Sequence, residues 1–328
     1  MLLNYIIRRT LWAFPFMFAA SIVAFALITL PPGDYVTTFA QTLSQSGDVV
    51  DETRLAALRE RYGLDQPFII QYFRWISGVL VGDFGISFEW QQPVAGLIWE
   101  RLGLFFILEI STLIFAWGLA LPIGIYSAIR KYSVGDYVAS VIGFIGLAVP
   151  NFLIALVLMY IAVVHFGTDV SGLFSPEYRQ APWSFDKFVN LLTHIWIPII
   201  ILGTSTVAGL IRIMRANLLD ELNKPYVTTA RAKGLTEFNL ILKYPVRLAL
   251  NPFVSTIGWA FPQLISGAVI TAYVLALPTS GPLLLQALLA QDMYLAGAFI
   301  LLLCCFSIIG MLVSDILLAI VDPRIRFR

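Results

Sequence analysis

Ionisable side chains are scarce inside the apolar runs of this 328-residue sequence, and the few present are the first candidates for chemistry. Glu109 lies in a run from Leu102 to Ile129, and Asp315 lies in a run from Leu295 to Val321. Because a carboxylate that faces lipid is costly, Glu109 is expected to face other helices or water. Two interpretations stay open for Glu109: a structural polar contact between helices, or part of a path for a polar solute. Asp315 is expected to be structural, paired with Arg324 or with an arginine of a loop.

A basic segment in the last third of the chain is the second candidate. Pro225 suits the first turn of a helix, where its missing N–H is no loss, and Gly234 suits the end, because glycine enters the left-handed conformation without steric cost. The sequence therefore predicts a two-turn helix carrying Arg231 and Lys233, followed by a second short helix over Glu237–Leu242. Such short helices are unstable alone, so they need the membrane domain or the groove of a partner. The alternative is a basic loop that only follows the charge bias of membrane proteins.

Patterns typical of enzymes and metal sites are absent from the sequence. It contains no Gly-x-x-x-x-Gly-Lys-Ser/Thr loop to cradle the phosphates of ATP, and no Gly-x-Ser-x-Gly, His-Glu-x-x-His or paired intramembrane aspartates. Cys304 and Cys305 are adjacent, and His165 and His194 stand without neighbouring ligands. We therefore expect no catalytic residue, no metal site, no cofactor bound by this chain and no activity as an intramembrane enzyme.

The elements that position these residues are membrane-spanning helices. The chain is 59% hydrophobic and only 12% charged, half the charge of an ordinary soluble domain, so its apolar excess must face lipid. A net charge of +1 does not support binding to nucleic acid. A helix needs about 20 apolar residues to cross a bilayer. Six runs satisfy this requirement: 11–30, 102–129, 137–164, 195–211, 253–275 and 295–321.

Lysine and arginine set the orientation of these spans. The side that holds both termini carries 14 of the 21 basic residues, although the other side has more loop, so both termini are expected in the cytoplasm. The predicted division is an N-terminus with the first span over 1–31, an external segment over 32–101, and a core membrane domain over 102–328. The core contains a cytoplasmic loop over 212–252, in which the basic segment lies.

Four ordered strings resemble one family of transporters. The segment Tyr226–Leu235 closely resembles the cytoplasmic signature of ABC importer permeases of the dipeptide/oligopeptide/nickel family. Residues 30–34 are similar to the Pro-Gly-Asp after the first helix of that family, and residues 62–87 to the external region of its B-type subunits. Residues 315–326 are similar to its C-terminal ending. The resemblance covers nearly the whole chain.

This resemblance implies an all-α polytopic membrane protein with the type I ABC importer permease fold, in the cytoplasmic membrane of a bacterium or archaeon. It implies a second permease subunit, two ATPase subunits that bind ATP and Mg, and an external solute-binding protein. The ATPase-coupling residues that it implies are Tyr226, Val227, Thr228, Thr229, Ala230, Arg231, Ala232, Lys233, Gly234 and Leu235.

The expected function is uptake of short peptides or a related solute. Oligosaccharide or nickel import by the same machinery stays open, because related permeases serve those solutes and first selection usually belongs to the binding protein. An ion-coupled secondary transporter is the alternative from another class. Such carriers commonly keep ionisable groups near the middle of the membrane and have repeated halves. Only Glu109 and Asp315 lie within the predicted spans, and no internal repeat is evident.

Overall fold

The computed structural model describes residues 2–30, 33–46, 52–167 and 171–321. Regular structure in these ranges is helical, apart from a β-bridge between Ile86 and Pro93. The helices are α1 (Leu2–Thr29), α2 (Tyr35–Ser46), α3 (Glu52–Tyr62), α4 (Phe68–Leu80), α5 (Val94–Ile129), α6 (Val134–Ala148), α7 (Asn151–Phe166), α8 (Phe185–Leu222), α9 (Pro225–Ala232), α10 (Glu237–Lys243), α11 (Pro245–Ala249), α12 (Asn251–Val274), α13 (Ser280–Leu289) and α14 (Met293–Val321), with a 3-10 turn at Pro176–Tyr178.

The helices form two compact units. The larger unit comprises residues 1–9, 106–278 and 309–328, and the smaller unit comprises residues 10–105 and 279–308. The predicted division at residues 31 and 101 separates the chain by side of the membrane, and it stays a prediction.

Each of the six predicted spans coincides with helical structure. Within the described residues, four helices are long and apolar enough to cross a membrane: α1, α5, α8 and α14. The bent pair of α6 and α7 is a fifth candidate if it is counted as one span. The fifth predicted run, 253–275, falls on α12, which is not among these candidates. The protein is thus a polytopic, all-α membrane protein.

The third predicted span, 137–164, differs from a continuous helix. Helices α6 and α7 are bent by 98° at a short break. Pro150 causes the break, because proline lacks an N–H and disfavours helical geometry in the residue before it. Val149 is accordingly extended, with φ −89° and ψ 121°. The proline therefore reorients the chain at this point, where the sequence predicts one continuous span over 137–164.

The fourth predicted span, 195–211, is part of a much longer helix. Helix α8 has 38 residues, a length of about 57 Å at about 1.5 Å per residue. Ser184 caps its start by accepting a hydrogen bond from the Lys187 N–H at 3.2 Å. Helix α8 continues through the charged residues after Ile211 because its inner face stays apolar, with Met214 and Leu218 fully buried. The helix therefore extends eleven residues beyond the predicted end of the fourth span.

Helix α8 is the central element of the larger unit, and small residues bring its neighbours close. A Cβ atom on Gly124 of α5 would lie 2.6 Å from Cβ of Met214. One on Gly146 of α6 would lie 3.3 Å from Cβ of Ala208. Close approach of this kind is the usual packing mode of helices in membranes. It fixes α5 and α6 against the part of α8 that leads into α9.

The smaller unit is held by aromatic packing and buried polar contacts. The Phe25 ring of α1 packs edge-on against Tyr72 of α4, with ring centroids 5.6 Å apart. The hydroxyl groups of Ser21 and Tyr72 share a hydrogen bond of 2.8 Å. Arg59 of α3 donates to the carboxylate of Asp34, the residue just before α2, at 3.0 Å. Burial opposes ionisation of Asp34, but hydrogen bonds from Thr37 and Arg59 hold its pKa below the ordinary value.

Candidate functional site

The predicted basic helix is present as α9. Lys224 precedes it in an extended conformation, and Pro225 occupies its first turn. Gly234 follows it with φ +78°, in the left-handed region that glycine enters without strain, and its N–H donates to the Arg231 carbonyl at 3.0 Å. Helix α10 over Glu237–Lys243 confirms the second short helix. The sequence rules for helix starts and stops therefore account for this segment.

One face of α9 belongs to the core of the larger unit. Val227 is fully buried, and Ala230 is buried with it. They join an apolar cluster with Met214 and Leu218 of α8 and Leu240 of α10. Val227 and Ala230, two of the ten predicted coupling residues, therefore pack α9 against the core of the larger unit. Tyr226 at the start of α9 and Leu235 just after its end are partly buried against the same cluster.

The opposite face of α9 is open to solvent. A Cβ atom on Gly234 would meet no atom within 4 Å, so the space beside the turn is empty in the chain alone. The exposed members of the predicted set are Thr228, Thr229, Arg231, Ala232, Lys233 and Gly234. We call this group the outward face of α9. It combines small side chains with two cationic residues, a composition suited to close contact with another protein.

Two polar contacts fix the orientation of α9. At its start, the Tyr226 hydroxyl donates to the Glu221 carboxylate of α8 at 2.6 Å. Burial, followed by this hydrogen bond to an anion, raises the pKa of Tyr226 above its ordinary value. At its end, Arg231 forms a two-pronged ion pair with Glu237 of α10. That pair raises the pKa of Arg231 and lowers that of Glu237. Helices α8, α9 and α10 are thus linked side by side.

Helix α10 adds exposed apolar side chains that sequence reasoning missed. Phe238 is 74% exposed and Leu242 45% exposed, while Leu240 and Ile241 between them are buried. Phe238 and Leu242 are four residues apart and share one helix face. The signal was present as apolar residues on all sides of a seven-residue helix. We call Phe238 and Leu242 the apolar pair of α10.

Glu109 lies inside the larger unit and does not face lipid. It is 4% exposed, as expected for a carboxylate on a membrane helix. Its Oε2 atom has no hydrogen-bond partner among the described residues, and the same holds for the Thr112 hydroxyl one helical turn later. Buried polar groups in proteins are nearly always paired. These two unpaired groups, one helical turn apart, therefore leave room for a partner outside the described chain, such as water.

Asp315 forms an ion pair, as expected, but with a different residue. Its carboxylate accepts a hydrogen bond of 2.5 Å from Nε of Arg9, at the other end of the chain. The proposed partner Arg324 lies outside the described residues. Arg9 and Asp315 are 306 positions apart, so no local sequence pattern could predict this pair.

A second buried carboxylate, Asp136, was also missed. Arg215 of α8 donates to both of its oxygens, at 2.7 and 2.8 Å, and the Tyr132 N–H donates at 2.9 Å. Asp136 is 2% exposed. A forked guanidinium on a carboxylate is among the strongest polar contacts in proteins. It fixes the start of α6 to α8 one helical turn after the predicted membrane boundary at Ile211.

A third buried carboxylate, Asp292, organises the smaller unit. Its Oδ2 accepts from the Ser87 hydroxyl at 2.5 Å and from the Glu89 N–H at 3.2 Å, while Oδ1 caps α14 through the Leu295 N–H at 3.1 Å. Burial raises its pKa above the ordinary value, and these hydrogen bonds oppose that shift. Asp292 therefore fixes part of the predicted external segment to the start of α14.

The helices and motifs together define a membrane component of a transport system. Residues 120–327 match the model of the family described as "Binding-protein-dependent transport system inner membrane component", and residues 2–109 match the model of its N-terminal region. The chain belongs to this family.

Relatives match over the whole length. The oligopeptide transport system permease protein AppB of Bacillus subtilis is 34% identical over 98% of this chain and 99% of its own. The dipeptide transport system permease protein DppB of Escherichia coli is 31% identical over the full length of both chains. The glutathione transport system permease protein GsiC of Escherichia coli is 30% identical, also over both full lengths. The resemblance drawn from four short strings is confirmed.

Proposed function

We propose that this chain is a B-type permease subunit of an ATP-driven importer of short peptides in the cytoplasmic membrane of a bacterium. The full-length similarity to oligopeptide, dipeptide and glutathione permeases supports this proposal. An external binding protein delivers the solute, and a second permease subunit completes the path. The chain crosses the membrane six times, with α6–α7 as one bent span and α12 as another, and both termini lie in the cytoplasm.

The outward face of α9 is the proposed contact with an ATPase subunit. The single observation that carries this assignment is the division of α9 into a face buried in the chain's own core and a small-residue face left open beside Gly234. The apolar pair of α10 extends the same contact. ATP and Mg bind to the partner ATPases, because this chain lacks the phosphate-binding loop.

Motion of the ATPases reaches the membrane through rigid connections. Tyr226 and Glu221 join α9 to the end of α8, and α8 continues as one helix into the predicted membrane region. Arg215 and Asp136 then carry a displacement of α8 to the start of α6. Closure of the ATPase dimer on ATP therefore biases the membrane domain toward one of two openings, as in other rigid-body switches.

Glu109 and Thr112 are the proposed polar positions on the solute path. Their unpaired atoms lie inside the larger unit, where a transient partner relieves the cost of burial. A carboxylate at this depth complements the ammonium group of a peptide. Oligosaccharide and nickel stay as the alternative solutes. Uptake of a labelled peptide by the reconstituted importer, measured with excess peptide, oligosaccharide or nickel as competitor, distinguishes the three.

The coupling role is tested with Gly234→Val and a matched control, Gly167→Val. Both glycines have positive φ, +78° and +61°, and a Cβ at either would meet no atom within 4 Å. The two substitutions therefore impose the same backbone strain at the ends of different helices. We expect Gly234→Val to insert normally but to lose stimulation of ATP hydrolysis by solute-loaded binding protein, while Gly167→Val keeps it. Normal stimulation in the Gly234 variant would refute the docking role.

A further inference from the structure

We infer that the larger unit carries a binding site for an anionic phospholipid, formed by the two clefts that flank α6 and by Arg212. The first cleft, of about 410 Å³, lies between α5 and α6 and is almost wholly apolar, lined by residues such as Ile123, Val138 and Ile142. The second, of about 280 Å³, lies between α6 and α8 and contains Arg212 and Arg215. The clefts share Ala139 and Ile211.

The two arginines of the second cleft differ in their bonding. Arg215 forms a two-point ion pair with Asp136 through Nε and Nη2. The Arg212 guanidinium lies over the Phe144 ring, 5.3 Å from its centroid, and has no acidic partner among the described residues. A guanidinium on an aromatic face keeps its edge donors free for a phosphate. Arg212 is therefore a charge placed in a cleft without its counter-ion.

The depth of Arg212 matches that of lipid headgroups. It directly follows the predicted fourth span, which ends at Ile211 at the cytoplasmic side. Side chains on a helix point back toward its N-terminus, and for α8 this direction leads into the membrane. The Arg212 guanidinium therefore lies at the border of headgroup and hydrocarbon. Basic pockets between helices on the cytoplasmic side are typical sites for anionic headgroups.

The surroundings favour one occupant, a phospholipid with a negative headgroup. The α6 side chains beside the clefts are apolar and open, with Val138 51% and Ile142 63% exposed, so they suit an acyl chain. Two further exposed cations, Arg130 and Lys131, lie in the turn before α6 and add positive potential near the same border. A phospholipid would place an acyl chain in the apolar cleft and its phosphate beside Arg212, so that one ligand fits both clefts.

The test is native mass spectrometry of the full-length chain, purified with the subunits that assemble with it from membranes containing phosphatidylglycerol and phosphatidylethanolamine. We expect retained phosphatidylglycerol in the wild type and in Arg212→Lys, which keeps the charge. Arg212→Gln should retain about fivefold less, since one basic residue near a membrane surface contributes about that factor. The matched control Arg247→Gln removes an exposed arginine of α11, away from both clefts, and should retain the wild-type amount.

Other outcomes overturn the inference. The inference is wrong if Arg212→Gln retains as much phosphatidylglycerol as the wild type. It is also wrong if the wild type retains phosphatidylethanolamine as strongly as phosphatidylglycerol. Binding of added inorganic phosphate to delipidated protein that depends on Arg212 as strongly as the lipid does would assign the site to free phosphate. A second arm uses a lipid-soluble maleimide to label an Ile142→Cys variant in which Cys304 and Cys305 are replaced by alanine. Its protection by the second permease subunit would show a protein in the cleft, whereas labelling that falls as phosphatidylglycerol is added supports the lipid.

Discussion

Asp136 and Glu109 are both buried carboxylates of the larger unit, yet their surroundings are opposite. Asp136 accepts three hydrogen bonds, two of them from the Arg215 guanidinium, and thereby links α6 to α8. Glu109 has an oxygen with no partner in the described chain, one turn from a hydroxyl in the same state. The contrast separates an acid that links two helices from one whose oxygen is left unpaired in the described chain, as we propose for a position on the solute path.

The largest effect is expected for Asp136→Asn. Removing one partner of a buried ion pair leaves the other charge uncompensated, at a cost of about 3 kcal/mol. Because the Arg215 side chain is 27% exposed, water relieves part of that cost, and about 2 kcal/mol of unfolding free energy is the expected loss. Denaturation of the purified protein measures it. Asp220→Asn, at an exposed position of α8, is the control and should change stability by less than about 0.5 kcal/mol.

A double variant sharpens this prediction. If the two groups act as one joint, Asp136→Asn combined with Arg215→Gln should cost clearly less than the sum of the single losses. Additive losses would mean that the two residues stabilise the protein separately.

A smaller loss of about 1–2 kcal/mol is expected for Asp292→Asn in the smaller unit, because an amide offers one acceptor oxygen where the carboxylate offers two. Ser87 donates to the oxygen that also accepts from the Glu89 N–H. Denaturation of Ser87→Ala should therefore show a loss of its own, and the double variant with Asp292→Asn should lose less stability than the sum of the two single variants. A neutral effect of both substitutions would show that this buried network adds nothing to stability.

The smallest effect on stability is expected for Glu109→Gln. Its Oε2 atom makes no hydrogen bond in the described chain, so the isosteric amide should fold with a stability within about 1 kcal/mol of the wild type. Uptake of the peptide should nevertheless fall if Glu109 lines the path as proposed, because an amide cannot ionise to pair with an ammonium group of the solute. Glu100→Gln, at an exposed position of the same helix, is the control and should leave uptake unchanged. A large loss of stability in Glu109→Gln would instead assign Glu109 to a structural contact.

The sequence predicted the elements whose signals are local. The start and stop of α9 follow from Pro225 and Gly234, and the spans follow from apolar runs of membrane length. The continuation of α8 to Leu222 escaped prediction because charged residues mark the end of a membrane span but not the end of a helix. The bend at Pro150 escaped because proline in membrane helices causes anything from a slight kink to a full break.

The ion pairs escaped for a different reason. Arg215 and Asp136 are 79 positions apart, and Arg9 and Asp315 are 306 apart, so only the packed helices bring them together. Arg9 and Arg215 are among the 14 basic residues that indicate the orientation of the spans, and such a count says nothing about the partner of any one residue. The sequence also could not divide α9 into its two faces, because Ala230 and Ala232 are alike in type and differ only in what surrounds them.

The docking of α9 is tested most directly by the accessibility of its outward face during assembly. In a chain whose two described cysteines, Cys304 and Cys305, are replaced by alanine, a Thr229→Cys variant is labelled with a water-soluble maleimide before and after the ATPase subunits bind. Thr193→Cys, exposed near the start of α8, is the matched control. Docking of α9 predicts that the ATPases slow labelling at position 229 by about tenfold or more and leave position 193 unchanged. Equal labelling at position 229 with and without the ATPases would contradict it.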